Sequence, residues 1–507
     1  MIARARRPWR RALCRAALLS TVLSTVLGAT LDLGGCAVGP DFRHPAAPAT
    51  RFAQGGQPAG TVGTADPAGA VQTFHPGADI PAQWWMLFHS PALDRLIRHA
   101  LANSPTLDAA RHALRVADEN RKAQMGPLYP SISVMYNPAR FKTSRTYSAV
   151  PANNSWLYTV HTAQLNIAYQ PDIWGGVRRG IEVTTAQRDS ARYQLEATYL
   201  TLTGNLVQAV IAYAALRAQI DTVQSLIASQ QRILDSSVRQ QALGQLADAD
   251  IAQQRAQLAQ DQAMLPPLQQ QLAQQHDQIA ALAGDMPDDP TPDFTLDGLT
   301  LPRDLPVSLP ARLIDQRPDI KVAEADWHAA CAQIGVAIAN RLPNIQLNAQ
   351  PGFAAASVGQ MFAPGYGQWM IAGTLTQPLF QGFQLLHQER AARAAYDQAA
   401  AQYRAAVVSA VQDVTDSLVA VRTDASTLVA DADAERAAAR SLDITRSRLG
   451  LGDASQVALL AAEQAELQAR LTLVQARAAR LSDTAGLFHA LGGGWWNRAG
   501  ADGAPQG

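Results

Sequence analysis

Cysteine is nearly absent from this 507-residue chain: Cys14, Cys36 and Cys331 are too few and too scattered for a disulfide framework. Charge of one prevailing sign is missing too. With 42 basic and 42 acidic residues, nucleic acid or an acidic polymer is excluded as the main partner. Beyond the N-terminal leader no apolar run is long enough for a membrane-spanning helix, so any membrane crossing must be made by strands. The signatures of catalysis are lacking: there is no HExxH, paired CxxC, GxSxG or phosphate-cradling glycine loop. The histidines are dispersed, and His276, His328 and His387 sit inside helical patterns as surface or packing residues. Cys331, in mid-helix among Ala and Ile, reads as a small buried side chain. No catalytic residue, no metal site and no enzyme is expected. A chain this long, 48% hydrophobic, builds two or more structural layers instead of one compact core.

What is present begins with an address. Arg4, Arg6, Arg7, Arg10, Arg11 and Arg15 precede a largely apolar stretch, Ala16 to Leu27, and then Leu33-Gly34-Gly35-Cys36. A basic region, an apolar region and a small-residue cleavage site make a secretion signal. The tetrapeptide resembles a bacterial lipobox, which implies that Cys36 becomes the first mature residue and carries N-acyl and diacylglycerol lipid. Two or more acyl chains, at roughly 0.8 kcal/mol per buried CH₂, hold a protein on a bilayer. Ala37 after the cysteine, where Asp usually retains lipoproteins in the inner membrane, favours the outer membrane. Pro40 to Pro81, rich in Pro, Gly and Ala, reads as an extended tether or wrapping arm.

The rest of the chain repeats itself. Leu128-Tyr129-Pro130-Ser131-Ile132 recurs as Arg341-Leu342-Pro343-Asn344-Ile345, and Gln170-Pro171-Asp172-Ile173-Trp174-Gly175 recurs as Gln377-Pro378-Leu379-Phe380-Gln381-Gly382. Ala281-Leu282-Ala283-Gly284 recurs as His489-Ala490-Leu491-Gly492. The second and third offsets, 207 (170 to 377) and 208 (281 to 489), nearly agree, as an internal duplication requires. Each copy reads strand, loop, strand, very long helix, turn, long helix, with a shorter helix ahead of the first strand.

The strands alternate at period two, so each has one apolar and one more polar face. Ile132, Val134 and Tyr136 interleave with Ser131, Ser133 and Met135; Asn344, Gln346 and Asn348 interleave with Ile345, Leu347 and Ala349. Four such strands cannot close a barrel, and open edges in lipid leave backbone groups unsatisfied. Either the sheet is half of a soluble sandwich or several chains pool strands. Along the helices, Leu195, Tyr199, Leu202, Leu206 and Val210, and likewise Tyr403, Val407, Ala410, Val414 and Leu418, recur at spacings of three and four. Sustained, that pattern is coiled-coil packing. The segment from Trp174 to Leu243 would be on the order of 100 Å long at about 1.5 Å per residue, which no single-domain core accommodates. Ala and Gln between the stripes suit a hollow cylinder of helices. Pro266-Pro267 is expected to bend a helical run that resumes at Leu268.

At this point the chain resembles the TolC-like outer-membrane efflux family, lipoprotein branch. The resemblance rests on Gly35-Cys36-Ala37-Val38-Gly39-Pro40-Asp41-Phe42, Trp84-Trp85-Met86-Leu87-Phe88, Gln170-Pro171-Asp172-Ile173-Trp174-Gly175, Leu265-Pro266-Pro267-Leu268, Arg317-Pro318-Asp319-Ile320 and Leu491-Gly492-Gly493-Gly494-Trp495. It implies an α+β fold in which a homotrimer, four strands per protomer, forms a twelve-stranded transmembrane β-barrel continuous with a periplasmic α-helical barrel. It also implies a passive outer-membrane channel for drugs or toxic compounds, with a periplasmic adaptor and an inner-membrane transporter as partners and outer-membrane lipid around it. The expected divisions are a signal peptide (1–35), a lipidated arm and linker (36–89), a first repeat (90–284), a linker (285–310), a second repeat (311–492) and a tail (493–507). Strands are expected near 129–141, 159–171, 343–353 and 367–378, and long helices over 174–243, 247–283, 381–450 and 454–491.

The family narrows its tunnel at the helical tips, often with aspartates at positions that here are Ala458 and Ala461. The expected substitute is an apolar constriction at Val457, with tip charge from Asp248, Asp250 or Asp453 and turns made by Gly244 and Gly452. Aromatics flanking the strands, among them Tyr129, Trp156, Phe353 and Trp369, suit a membrane girdle, whereas Trp495-Trp496 reads as packing. The rival reading is a periplasmic adaptor or structural coiled-coil lipoprotein. An adaptor would carry one helical hairpin, not two tandem strand-and-helix units.

Overall fold

A computed structural model of the chain describes residues 37–45, 59–146, 156–290, 292–307 and 310–498. The secretion signal, Cys36 and the end of the C-terminal tail lie outside the described residues. In chain order the elements are β1 (Thr73–Pro76), α1 (Pro91–Asn103), α2 (Pro105–Gln124), β2 (Ser131–Lys142), β3 (Leu157–Tyr169) and α3 (Gly176–Ala242). They continue with α4 (Asp248–Ala263), α5 (Leu265–Ala283), β4 (Asp304–Val307), α6 (Pro310–Gln316) and α7 (Pro318–Ala339). The second repeat completes the chain with β5 (Asn344–Ala349), β6 (Gly352–Ala355), β7 (Gly367–Gln368), β8 (Ile371–Thr376), α8 (Gln384–Gly450) and α9 (Gln456–Ala490).

Local chemistry explains the helix ends. Asp172 accepts hydrogen bonds from the backbone N–H of Val177 (2.9 Å) and Arg178 (3.0 Å), satisfying first-turn donors of α3 that have no helical partner. Ser455 caps α9 in the same way through the N–H of Ala458 at 3.1 Å. Where one bent helix was expected over 247–283, the chain ends α4 at Ala263, turns at Met264 and restarts α5 at Leu265. Pro266 and Pro267 thus fall in a first helical turn, where a missing N–H leaves no helical bond unmade.

Six of the strands, β2, β3 and β5 to β8, form one antiparallel sheet. Its centre is β3, with β2 on one edge and β5 and β6 end to end along the other. Beyond them, β8 pairs with β5 and β7 with β6. The expected strand over 343–353 is therefore two pieces, divided at Gln350-Pro351 because proline has no N–H for the ladder. That over 367–378 divides at Trp369-Met370.

The chain resolves into two compact units, neither of which is a sequence repeat. The first takes described residues 37–43, 117–146, 156–188 and 326–400; the second takes the rest. The first holds the sheet, and its strands come from both repeats. In the second, the segment read as a plain tether carries structure: β1 pairs in parallel with β4, itself inside the supposed linker 285–310. Trp84, Trp85 and Phe88 are fully buried there, with Trp84 stacked on Phe488 at 5.6 Å. Trp495 is buried too, and its Nε1 donates to the Gln316 carbonyl at 2.7 Å.

One sequence expectation is corrected. Helix α3 does contain an 18-residue window apolar enough to cross a bilayer, but 61% of that window is buried. Leu206, Val207 and Val210 are wholly buried, so the apolar run serves helix packing.

Candidate functional site

The register of the sheet sorts its side chains onto two faces. Ile132 lies opposite Ile167, Ile167 opposite Ala349, and Ala349 opposite Ile371, so one apolar row crosses every strand line. Val134 with Leu165, Leu347 with Tyr169 and Ile345 with Leu375 fill the same face. The reverse face pairs Ser133 with Asn166, Asn137 with Thr162 and Gln346 with Thr374. In a soluble sandwich the apolar face would be covered. Here Val134 is 80% and Ile371 75% exposed. Among the described residues, β2 and β8 each have one edge with no strand partner. The polar edge of Tyr136 is satisfied on the sheet itself, 2.8 Å from Nδ1 of His161. Tyr129 and Trp369 stand exposed at the strand ends. Such a sheet can be stable only against lipid on one side and further strands at its edges.

The helical tips, in the second unit, are near copies of each other. Gly244 (φ +77°) and Gly452 (φ +79°) both adopt the left-handed conformation. Around them Gln245 N–H donates to the Gln240 carbonyl (3.0 Å), and Asp453 N–H to the Arg448 carbonyl (2.9 Å), the six-to-one bond that closes a helix C-terminus. An added Cβ would meet nothing within 4 Å at either glycine, so backbone conformation alone requires them.

The structure divides the predicted gate residues. Asp250 and Val457 line a common groove with Arg446, whereas Asp248 and Asp453 do not. Asp250 also accepts the Ala247 N–H at 3.3 Å, Asp248 is bonded by Gln241, and Asp453 is held by Arg448 Nε at 3.0 Å. Each aspartate therefore has a local partner. Val457 is half exposed, and Leu451 is more exposed still.

Sequence reasoning missed a buried polar layer just behind the tips. Gln230, Gln254, Asp261 and Glu463 are all nearly inaccessible. Glu463 is held by Arg446 at 3.3 Å, and Asp261 accepts from Gln464 at 3.1 Å. Burial raises the Glu463 carboxyl above its ordinary range, against the pull of Arg446. A signal was available: these residues occupy the apolar stripe, Gln254 between Ile251 and Leu258, Glu463 between Leu460 and Leu467. Polar groups at seam positions weaken packing and specify it.

A family of outer membrane efflux proteins matches residues 96–285 and 309–493, two blocks that correspond to the two repeats. The chain belongs to this family. Among its relatives, the toluene efflux pump outer membrane protein TtgC of Pseudomonas putida is 28% identical over 476 residues, 92% of this chain and 94% of that protein. The pyoverdine export outer membrane protein OpmQ of the same species is 28% identical over 442 residues, covering 86% and 93%. The outer membrane protein VceC of Vibrio cholerae superposes with a TM-score of 0.75 at 26% identity, over 82% of this chain and all of that one. The Campylobacter jejuni outer membrane channel CmeC, at 19% identity, shares the fold with a TM-score of 0.82, over 92% and 97%. This efflux protein is an outer-membrane channel component, a transporter by family.

Proposed function

We propose that this efflux protein is the passive exit duct of a tripartite pump. Three copies pool four strand lines each into a twelve-stranded barrel, and a periplasmic adaptor links the duct to an inner-membrane transporter. The observation that carries this reading is the open-edged sheet with one exposed apolar face. An edge left open in lipid strands several kcal/mol per backbone group, and neighbouring copies remove that cost. The cargo is small toxic molecules. Relatives are named for toluene, antibiotics and pyoverdine, a range that suits a wide tube with no chemistry of its own.

Cys36 carries the lipid in this reading, supported by the Leu33-Gly34-Gly35 lead-in. Residues just after it are pinned to the first unit. Val38 N–H donates to the Trp174 carbonyl (3.1 Å), Arg179 holds Asp41 (2.7 Å), and Phe42 stacks on His328 (4.6 Å). The gate reading rests on Val457 and Asp250, which share the groove between the tips. Single-channel recording of Asp250→Ala with unchanged conductance and ion preference would take that residue out of the gate.

Detergent-extracted full-length protein should run as a heat-modifiable trimer and conduct ions in planar bilayers. A folded, water-soluble, non-conducting monomer after removal of the lipid anchor would overturn the duct.

A further inference from the structure

Residues 60–73 were read as part of a tether, yet they close on themselves. Thr61 N–H donates to the Gln72 carbonyl (2.9 Å), Gln72 N–H to Thr61 Oγ1 (3.0 Å) and Thr64 N–H to the Gly69 carbonyl (2.8 Å). The loop is seated on α9 and α8, all within the second unit. Arg477 clamps Asp66 (2.6 Å), Gln72 Nε2 donates to Thr484 Oγ1 (3.1 Å), and Ala68 packs among Leu428, Ala432, Leu473 and Ala476.

The central contact is Arg480, which is fully buried. Its Nη2 donates to the loop at the Ala70 carbonyl (2.6 Å) and Thr61 Oγ1 (3.2 Å), while its Nε and Nη1 make no hydrogen bond. Beside it Asp424 of α8 meets Asp483 of α9, carboxyl against carboxyl. The charged groups that interact here are Asp66 from the loop, Asp424 from α8, and Arg477, Arg480 and Asp483 from α9. From helix α3 the neutral Gln208 donates through Nε2 to the Ser482 carbonyl at 2.8 Å. Arg422 of α8 is exposed and lines the cleft that Thr61 and Val62 form with α8. If the acid pair holds one proton, the buried charges balance: Asp66 and one carboxylate against Arg477 and Arg480. Without that proton the cluster is left one negative charge in excess.

We propose that Asp424 and Asp483 form a one-proton latch that holds the 60–72 loop on α8 and α9 through Arg480. With the proton in place the two carboxyls bond each other and Arg480 is left to the loop. When the proton leaves to solvent, Asp424 becomes an anion repelled by Asp483, and the free Nε and Nη1 of Arg480 turn to it, drawing Nη2 away from Ala70 and Thr61. The loop loosens, and the strap across this helix pair goes with it. Burial, then hydrogen bonding with Asp483 and its charge, push Asp424 up to about 7 from an ordinary 3.8. A raised acid favours the folded arrangement fully below its unfolded value. That contribution declines as pH rises from 3.8 and is gone by about 7.

A nitroxide on Val62→Cys, whose parent side chain is exposed, reads loop mobility in the full-length protein; the native Cys331 is buried. Titrated from about pH 5.5 to about pH 8.5, the spectrum should pass from an immobilised to a mobile line shape centred near neutrality. Asp424→Asn, which keeps the hydrogen bond and cannot ionise, should abolish that transition and stay immobilised throughout. Asp483→Asn removes the like charge that helps keep the proton on Asp424, so it should move the transition to lower pH, and it serves if the first variant does not assemble. A line shape that does not change across the titration, or a transition with the same midpoint in the Asn variants, overturns the latch.

Discussion

In the first repeat the helix leaving the sheet runs Gly176–Ala242; in the second it runs Gln384–Gly450, beginning and ending 208 residues later (176 to 384, 242 to 450). The turn glycines Gly244 and Gly452 keep the same interval, and so do Gly284 and Gly492, all four in left-handed geometry. Length and turns have therefore been preserved, as they must be if two helical pairs are to reach the same depth. Other features have diverged. The return helix is broken at Met264 in the first repeat and continuous over 35 residues in the second. The strands of the first run unbroken for 12 and 13 residues, whereas those of the second are split. Geometry shared with a partner element is kept, and local interruption is tolerated where a proline can be housed without losing a bond.

The sharpest break of this comparison lies in the sheet. Ile132 and Ile371 come from different repeats yet sit on one apolar row. Ile132→Arg and Ile371→Arg should each cost about 2–4 kcal/mol in folding into lipid vesicles, measured by denaturant titration. Ser133→Arg, one residue away on the polar face, should cost under about 1 kcal/mol and shift ion selectivity. If Ser133→Arg were the more damaging, the face assignment would be inverted.

The seams behind the tips give the next effect. Gln254 in the first repeat is buried with neither amide atom bonded, while Glu463 in the second has Arg446. Gln254→Leu should stabilise the protein by about 1–3 kcal/mol, because a buried unsatisfied amide gives way to an apolar side chain of similar size. Glu463→Leu should gain less, since it leaves Arg446 without its partner. Thermal unfolding of the two variants side by side decides whether the repeats differ in this way.

The smallest effect concerns the entry to the long helices. At this entry the first repeat has one left-handed residue, Gly175 (φ +74°), and the second has two in succession, Gly382 (φ +58°) and Phe383 (φ +64°). Gly175→Ala should destabilise by about 1–2 kcal/mol from backbone strain alone. The added Cβ would also lie 2.6 Å from the Ala37 Cα. Phe383→Gly releases the same strain and should stabilise by up to about 1 kcal/mol in denaturant unfolding. A destabilised Phe383→Gly would mean that the exposed phenyl ring, packed on Phe380 at 5.5 Å, contributes more than the strain it imposes.

The long helices were legible within a few residues of their ends, Trp174–Leu243 expected against Gly176–Ala242 found, because a seven-residue stripe, an N-terminal aspartate and a glycine turn are local signals. The alternating strands and the duplication were legible for the same reason. Those features determined the kind of object, strands with one greasy face and helices too long for a single core, and the family followed from the motifs that resemble it. Only the tertiary structure decided which strands neighbour one another, since β3 of the first repeat pairs with β5 and β6 of the second. It alone closed residues 60–73 onto Arg480, and it alone set Asp424 against Asp483 and Asp261 against Gln464. A short-range pattern fixes what one element is; the partner of a buried charge depends on residues hundreds of positions away, and no local periodicity encodes that distance.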